Sequence, residues 1–213
     1  MTPPHWVEPG DLRVGILGGT FDPVHFGHLV PIEEARRNLA LDQILFMPAF
    51  QPPHKPSGPS APSHHRFAML ALAFEAYPAF RLSDFEVARG GTTYTIETLR
   101  HLRASRVDAE FVLVLGSDSL AGITAWRSWQ DLLGEFHVAV VEREGFSPDH
   151  LARDLPPAIS GRFGETIFFA GNTPVTISST WLRRAIPAGE DLSGSLPASV
   201  AAYLRRHALY RLP

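Results

Sequence analysis

The residues best suited to chemistry in this chain are two histidines three positions apart, His25 and His28. They stand in the stretch Gly18-Gly19-Thr20-Phe21-Asp22-Pro23-Val24-His25-Phe26-Gly27-His28, between an apolar run and a segment with helical spacing. A glycine pair lets the backbone approach a ligand closely. The start of a helix offers free N–H groups and a positive dipole end, which suit phosphate. The motif therefore indicates nucleotide chemistry, with two imidazoles placed to stabilise charge on a reacting phosphoryl group.

Two other interpretations of the histidine pair stay open. Either ring could simply be satisfied by backbone at the start of a helix. A zinc site needs three or four ligands, and the chain has no cysteine, so the remaining ligands would be acids or His54, His64 or His65. No His-Glu-x-x-His helix is present. Gly-x-x-x-x-Gly-Lys-Ser/Thr and Gly-x-Gly-x-x-Gly spacings are also absent, which disfavours a P-loop ATPase and a dehydrogenase.

A second group of polar residues begins an amphipathic helix near the end of the chain. Hydroxyls at such a position are ordinary N-caps. An arginine one turn into the helix can also reach an anion held at the N-terminus. Together these groups could clamp a triphosphate, which would make the segment the second half of a phosphate site. The residues concerned are Ser178, Ser179, Thr180 and Arg183.

A proline-rich segment, 48–62, is unsuited to helix or central strand and is predicted to be an active-site loop. It carries His54 and Lys55. Lys55 is either a solvated surface residue or a mobile cation that closes over substrate phosphates.

Another candidate follows the most apolar strand of the chain, at Gly116-Ser117-Asp118. Asp118 either caps the next helix or binds ribose hydroxyls, a frequent role for an acid at such a strand end. Trp126 and Trp129 are first of all core candidates, although one could stack on a base or a pyridine ring.

The elements that must position these residues alternate along the chain. Strands are predicted at 13–17, 43–47, 80–83, 110–115, 136–141 and 166–170, and helices at 28–41, 63–76, 95–103, 128–133, 179–186 and 197–207. This alternation predicts a single α/β domain, a Rossmann-like, doubly wound parallel sheet of about five to six strands with helices on both faces. Ligands in such sheets bind outside the carboxyl ends of the strands, where the histidine motif lies.

Composition narrows the class of protein. The 213 residues carry a formal net charge of −3, with 45% hydrophobic and 19% charged residues, so we expect one globular domain and no nucleic-acid partner. No apolar run approaches the ~18 residues of a membrane span. The first residues lack signal-peptide order, so a cytoplasmic protein is expected. Residues 1–11 are interpreted as an N-terminal extension and 178–213 as a C-terminal helical part. The chain could be a monomer or a homo-oligomer.

These motifs, taken in order, resemble the bacterial nicotinate-nucleotide adenylyltransferases. The histidine motif by itself marks only a superfamily of nucleotidyltransferases. The narrower resemblance comes from further segments: Pro52-Pro53-His54-Lys55, Ser83-Asp84-Phe85-Glu86, Arg89-Gly90-Gly91-Thr92-Thr93-Tyr94-Thr95-Ile96-Glu97-Thr98-Leu99, Gly116-x-Asp118-Ser119-Leu120 with Trp126, Val141-x-Arg143-x-Gly145, and Ile177-Ser178-Ser179-Thr180-x-Leu182-Arg183. It runs from Gly18 to about Arg183.

The resemblance implies that ATP and nicotinate mononucleotide react to give deamido-NAD (nicotinate adenine dinucleotide) and pyrophosphate, in NAD biosynthesis, with Mg2+ entering on the ATP. It implies roles by position. The catalytic residues would be His25, His28, Lys55 and Arg183. The ATP-binding residues would be Gly18, Gly19, Thr20, Phe21, His25, His28, Gly116, Asp118, Ile177, Ser178, Ser179, Thr180 and Arg183. The mononucleotide-binding residues would be Asp22, Lys55, Thr93, Tyr94, Thr95, Asp118, Trp126, Arg127 and Arg143, with no metal held by the protein itself.

The chain departs from the family pattern at Val24, Glu97 and Arg127, where proline, aspartate and an aromatic residue are usual. An arginine at position 127 would favour the carboxylate of nicotinate over the neutral amide of nicotinamide. Three alternatives stay open at this point. The acceptor could be another phosphate, such as nicotinamide mononucleotide or phosphopantetheine; the chain could be a zinc-dependent hydrolase; or it could be a non-catalytic nucleotide-binding regulator.

Overall fold

The central element is a six-stranded sheet in which all neighbouring strands are parallel, in the order β3-β2-β1-β4-β5-β6. The computed structural model describes residues 12–52 and 58–211. The strands are β1 Leu12–Gly19, β2 Gln43–Pro48, β3 Phe80–Leu82, β4 Ala109–Gly116, β5 His137–Val141 and β6 Ile167–Phe169. The chain reverses its direction of travel across the sheet between β1 and β4, which is the position where open α/β sheets form a ligand crevice.

Helices lie in each connection between successive strands, and two more, α9 and α10, follow the last strand. They are α1 Phe26–Asn38, α2 Ser63–Ala73, α3 Phe85–Arg89, α4 Thr95–Ser105, α5 Ser117–Ala121, α6 Trp129–Glu135, α7 Pro148–Asp154, α8 Pro157–Ser160, α9 Ser179–Ala188 and α10 Ala198–Arg206. Short 3-10 turns stand at Phe74–Ala76 and Ile123–Ala125.

Each face of the sheet has its own hydrophobic core, because successive side chains of a strand point to opposite faces. In β4, Val112 and Val114 pack with Leu29 of α1 and Leu182 of α9 in one cluster. Leu113 packs in the other cluster, whose members include residues of α4 to α8. Since both faces are covered, β4 is apolar without a break from 111 to 115, as buried parallel strands are.

The strand predictions and the doubly wound, single-domain α/β prediction are confirmed. The predicted helices are also present, with ends shifted by a few residues; α1 begins at Phe26, two residues earlier than expected. The short helices α3, α5, α7 and α8 were not predicted. Pro48 was predicted to begin the loop but is the last residue of β2. Its missing N–H does not interrupt the pairing of β2 with β1, because the next residue, Ala49, donates its own N–H to the carbonyl of Gly19 (2.9 Å).

All six strands end at one edge, because the sheet is entirely parallel. The segments that follow them carry the predicted site residues: 20–25 after β1, 49–52 and 58–62 after β2, 83–95 after β3, 117–127 after β4, 142–146 after β5 and 170–180 after β6. The fold therefore brings motifs from the whole length of the chain to one edge of the sheet.

Candidate active site

The turn between β1 and α1, residues 20–25, is held in place through its backbone carbonyls. Arg66 donates to the carbonyl of Thr20 (2.8 Å), Arg183 to that of Asp22 (2.7 Å), and Ser179 to that of Pro23 (3.0 Å). Because a peptide unit is planar, a carbonyl held from one side directs the following N–H to the other side. Three side chains from two distant helices thus fix the orientation of this turn.

His25 and His28 are stacked at the first turn of α1. His25 is the N-cap residue and His28 lies three positions on, a spacing that puts both rings on one face of the helix. Their ring centroids are 3.8 Å apart with 30° between the planes. The ring of Phe21 meets His28 edge-on at 5.3 Å. The pair is therefore a packed unit, and His28 is its more exposed member.

The two histidines differ in environment. His25 is only 2% exposed, and burial, followed by the positive charge of Arg143, lowers its pKa to about 3. His25 is therefore neutral at physiological pH, and its Nδ1 has no hydrogen-bond partner among the described residues. Of the two imidazoles predicted to stabilise charge on a phosphoryl group, His28 is the more exposed and His25 the buried one.

Gly27, between the histidines, is a position where no side chain fits. A Cβ there would lie 2.8 Å from the carbonyl oxygen of Ile177 and 2.9 Å from the His25 ring. The glycine therefore allows the start of α9 to lie against the start of α1. This contact places Ile177, predicted to bind ATP, directly beside the histidine pair. At Gly18, by contrast, a Cβ would have no atom of the described residues within 4 Å, so a ligand could approach the backbone there.

A proline in α1 explains the position of Arg143. Pro31 has no N–H to donate to the carbonyl of Gly27, four residues earlier. The Arg143 guanidinium approaches that carbonyl instead, with Nη1 at 3.4 Å. Its backbone N–H is held by the buried hydroxyl of Ser117 (2.8 Å). Arg143 was predicted on the mononucleotide side, and the structure places it against the histidine-bearing turn, with its buried Nε unpaired within the described part of the chain.

The start of α9 supplies the second half of the predicted phosphate site. The Ser178 hydroxyl caps the helix by accepting from the N–H of Trp181 (3.1 Å). Ser179 and Arg183 bond to the β1–α1 turn, and Arg183 also contacts the hydroxyl of Thr180 (3.3 Å). The cap interpretation is therefore confirmed for Ser178, and Ser179 and Arg183 fasten the start of α9 to the histidine-bearing turn. The anion site stays a prediction, for which a helix N-terminus offers free N–H groups.

Asp118 is exposed at the end of β4, one strand away from the histidine motif. Its Oδ1 lies against Gly116, so close that a Cβ at that position would collide with it. The Nε of Arg143 would be 3.3 Å from the same Cβ. A carboxylate and a guanidinium therefore flank Gly116 at the sheet edge, where the sequence predicts ribose binding.

Some of the predicted acceptor residues, Tyr94, Trp126 and Arg127, form a second group, beside the core cluster on the other face of the sheet. The Arg127 guanidinium lies over the ring of Tyr94, 4.5 Å from its centroid, and its Nη1 is 3.5 Å from Oε1 of Glu97. Tyr94 and Trp126 pack against the same core cluster, and Thr95 begins α4. Two of the three departures from the family pattern, Glu97 and Arg127, therefore contact each other.

Thr93 is the one buried polar group of this region whose hydroxyl has no partner in the described ranges. The residue is 8% exposed. Since buried polar groups are nearly always hydrogen-bonded, an unpaired hydroxyl beside a predicted pocket favours a ligand partner.

Asp22 was predicted to bind the mononucleotide, and in the structure its carboxylate contacts protein. It accepts from the N–H groups of Ser60 (2.7 Å) and Ala61 (3.0 Å) and from the hydroxyl of Tyr210 (2.6 Å). The residue is 3% exposed. These bonds attach the end of the proline-rich segment to the histidine-bearing turn. Lys55 and His54 lie outside the described residues.

Sequence reasoning missed Arg66, a fully buried arginine in α2. Its guanidinium donates to the carbonyls of Ala61 (3.1 Å), Thr20 (2.8 Å) and Phe50 (3.2 Å). It therefore joins both ends of the proline-rich segment to the β1–α1 turn. The available signal was weak: an arginine at an apolar position of the α2 pattern, directly after the proline-rich segment.

Within residues 12–52 and 58–211, no three histidine, cysteine or acidic side chains come together as a set that could hold a metal ion. None of the helices in these ranges combines the length and apolar character that a membrane span requires.

Comparisons with known proteins agree with this geometry. Residues 16–185 match the cytidylyltransferase-like family model. The chain is 41% identical over 209 residues to a "Probable nicotinate-nucleotide adenylyltransferase" of Aeromonas hydrophila, covering 93% of this chain and 97% of that one. It is 36% identical to the protein of the same name from Geobacter metallireducens, covering 93% and 98%.

Solved structures show the same fold. The nicotinic acid mononucleotide adenylyltransferase of Plasmodium falciparum complexed with NaAD superposes with a TM-score of 0.73 at 19% identity, covering 93% of this chain and 97% of that chain. The complex of the same enzyme with APC has a TM-score of 0.74. With identities above 30% over nearly the whole length of its relatives, the chain belongs to the nicotinate-nucleotide adenylyltransferase family of cytidylyltransferase-like proteins.

Proposed function

We propose that this protein transfers the adenylyl group of ATP to nicotinate mononucleotide, forming nicotinate adenine dinucleotide and pyrophosphate, the activity for which its relatives are named. The observation that carries the proposal is the stacked pair His25 and His28 on a turn fixed by Arg66, Arg183 and Ser179 at the switch point of the sheet. Cationic and N–H donors dominate this edge, and they suit phosphate oxygens.

The reaction fits a site without a side-chain nucleophile. A phosphate oxygen of the mononucleotide attacks the α-phosphorus of ATP, the bond to the bridging oxygen breaks, and pyrophosphate leaves with the electron pair. The attacking phosphate is already largely dianionic near neutral pH, because its second pKa is ~6. The protein therefore has to align two anions and stabilise the charge that develops on the phosphorus and the leaving group.

We assign the roles by position and exposure. His28 donates to a phosphate oxygen of ATP, whereas the buried, neutral His25 packs against His28 and orients its ring. Arg183 and the first N–H groups of α9 hold the ATP phosphates from the opposite side. Lys55 remains a proposal from the sequence alone.

The acceptor is proposed to lie between β4 and the start of α4, where Arg127 covers Tyr94 and Trp126 packs against the same core cluster as Tyr94. The unpaired hydroxyl of Thr93 is a hydrogen-bond partner for the mononucleotide. Trp126 would stack on the pyridine ring. Asp118, exposed between the two groups, would bind ribose hydroxyls.

Magnesium is proposed to enter with ATP and to be held mainly by its phosphates. The described donors at this edge are mostly cations, hydroxyls and N–H groups, which fit phosphate better than a metal. The ion would neutralise charge on the departing pyrophosphate. We expect chelation by EDTA to abolish activity and added Mg2+ to restore it.

We also propose that the protein acts in the cytoplasm.

The test is pyrophosphate release from ATP with a panel of phosphate acceptors. We expect release with nicotinate mononucleotide, and His28→Ala to lower kcat about 100-fold or more, because removing one group that stabilises transition-state charge costs about 2.7–4 kcal/mol. His64→Ala, which removes an exposed histidine of α2, is the matched control and should retain activity. Undiminished release by His28→Ala would refute the catalytic assignment, and release only with another acceptor would refute the substrate.

A further inference from the structure

The last described residues fold back toward the active site in a strained conformation. After α10 ends, Ala208 and Tyr210 take left-handed φ angles of 49° and 60°. Such angles are costly for residues other than glycine and persist only where the surrounding structure holds them. The N–H of Leu209 donates back to the carbonyl of Leu204 (3.1 Å), which fixes the reversal. The result is that the Tyr210 side chain lies against the first core cluster.

The reversal gives Tyr210 a contact with the histidine-bearing turn. Its hydroxyl donates to Oδ1 of Asp22 at 2.6 Å, across 188 positions of the chain. Burial and the negative charge of Asp22 raise the pKa of the Tyr210 hydroxyl, so it remains a donor. A hydrogen bond to a charged acceptor is roughly twice as strong as one between neutral groups.

Asp22 links the Tyr210 hydroxyl to the turn that carries the histidines. It is three residues before His25 and directly after Phe21, which itself has a left-handed φ of 50° and meets His28 ring to ring. Its carboxylate also receives Ser60 and Ala61, and two arginines, Arg66 and Arg183, face the turn. Two non-glycine residues with left-handed φ angles thus adjoin Asp22: Phe21 precedes it in the chain, and Tyr210 is hydrogen-bonded to it.

We propose that Tyr210 is a positioning residue for adenylyl transfer: its hydroxyl fixes the Asp22 carboxylate and, through it, the turn that carries Phe21 and His28. The inference rests on the proposed function and deepens it. Tyr210 touches no reacting atom. It acts because the carboxylate of Asp22 accepts three hydrogen bonds among the described residues, from two backbone N–H groups and this hydroxyl. Arg183 adds only a longer ion-pair contact, 4.0 Å from Oδ2, so losing the hydroxyl removes one of the three hydrogen bonds that orient the carboxylate.

Tyr203 provides a matched control within the same C-terminal part. It lies on α10, is half-buried against the same core cluster, and its hydroxyl bonds to Nδ1 of His65 at 2.9 Å. Tyr203→Phe therefore removes a tyrosine hydroxyl and its hydrogen bond to α2 from the same C-terminal part, at a residue that makes no hydrogen bond to Asp22 in the described part of the chain.

The experiment compares Tyr210→Phe, Tyr203→Phe, Asp22→Asn and the double variant Asp22→Asn/Tyr210→Phe. We expect Tyr210→Phe to lower kcat about ten-fold, which corresponds to about 1.4 kcal/mol. The KM for ATP should stay within about two-fold, because the loss concerns transition-state alignment more than ATP binding. Tyr203→Phe should keep wild-type kcat. In the Asp22→Asn background, Tyr210→Phe should add little, since the two groups act through one contact.

A second readout is independent of turnover. The imidazole signals of His28 in NMR spectra should shift in Tyr210→Phe and stay in place in Tyr203→Phe. Wild-type kcat in Tyr210→Phe, additive losses in the double variant, or unchanged His28 signals would each overturn the positioning role. If the wild-type protein released no pyrophosphate with nicotinate mononucleotide, the proposed function would fail, and the His28 signals alone would then decide whether Tyr210 positions the turn.

Discussion

His25 and His28 carry the same side chain but stand in environments that give them different properties. His25 is buried against Arg143, which disfavours its charged form, while His28 is more exposed on the next turn. The neutral ring of His25, stacked on His28, can orient the His28 ring without itself attracting the ATP phosphates. The two rings of the motif therefore differ through burial and not through residue type, and on our proposal His25 supports the ring of His28, which contacts the phosphate.

At the same scale, Arg127 should influence the choice of acceptor. It lies over Tyr94 and is paired with Glu97, so its charge is held at the rim of the proposed acceptor pocket. We expect Arg127→Ala to reduce the preference for nicotinate over nicotinamide mononucleotide about five-fold, or about 1 kcal/mol, measured as the ratio of the two kcat/KM values.

Arg89→Ala is the control for that change, because Arg89 pairs with the same Glu97 (3.5 Å) without covering Tyr94. An unchanged ratio in Arg127→Ala, or an equal loss in Arg89→Ala, would show that Arg127 does not select the carboxylate.

At the scale of elements, the active site depends on how α1 and α9 begin. Gly27 lets the carbonyl of Ile177 approach α1, and Pro31 leaves the Gly27 carbonyl for Arg143. Two residues that lower helix propensity thus stand in a functional helix. Gly27 permits the close contact between the starts of α1 and α9. Pro31 leaves the carbonyl of Gly27 without a backbone donor, and the Arg143 guanidinium takes that place.

A substitution at Gly27 tests this arrangement. We expect Gly27→Ala to lower kcat/KM for ATP by at least about ten-fold, because its Cβ would lie 2.8 Å from the Ile177 carbonyl and push α9 away from the histidines. Gly134→Ala, in α6, is the control, since a Cβ there meets nothing within 4 Å. It should keep activity and raise the free energy of unfolding by about 0.5–1 kcal/mol. Full activity in Gly27→Ala would contradict the close-approach argument.

At the scale of the whole molecule, the buried His25 should make stability depend on pH. Its pKa is lowered from 6.5 to about 3 in the folded state, so between these values the unfolded chain binds a proton that the folded chain does not. The free energy of unfolding should therefore fall as pH falls through this window, by about 1.4 kcal/mol per pH unit from this group.

Denaturant unfolding of the wild type and His25→Asn between pH 7 and pH 4 measures this contribution. The slope of unfolding free energy against pH should be smaller in His25→Asn, which has nothing to protonate at that position. The exposed His64→Asn controls for the loss of a histidine elsewhere. Equal slopes in wild type and His25→Asn would mean that His25 is not held neutral by the fold.

The sequence by itself determined the sheet, the major helices and the edge at which the site forms. Apolar runs such as 110–115 and the helical spacing after His28 are local patterns, and local patterns report which residues must be buried. The histidine motif could be recognised for the same reason, because its chemistry lies within eleven consecutive residues. The short helices α3, α5, α7 and α8 escaped prediction, since four to seven residues carry too little periodicity.

Only the tertiary structure decided how the site residues are held. Asp22 carries no mark in the sequence that separates a ligand contact from a bond to Tyr210, 188 positions away. The same holds for the three carbonyls bound by Arg66 and for the charge state of His25, which depends on burial beside Arg143. Hydrogen-bond partners and desolvation are properties of the assembled interior. The sequence shows which side chains have reactive groups, and the tertiary structure determines which of these groups are already bonded to other parts of the protein.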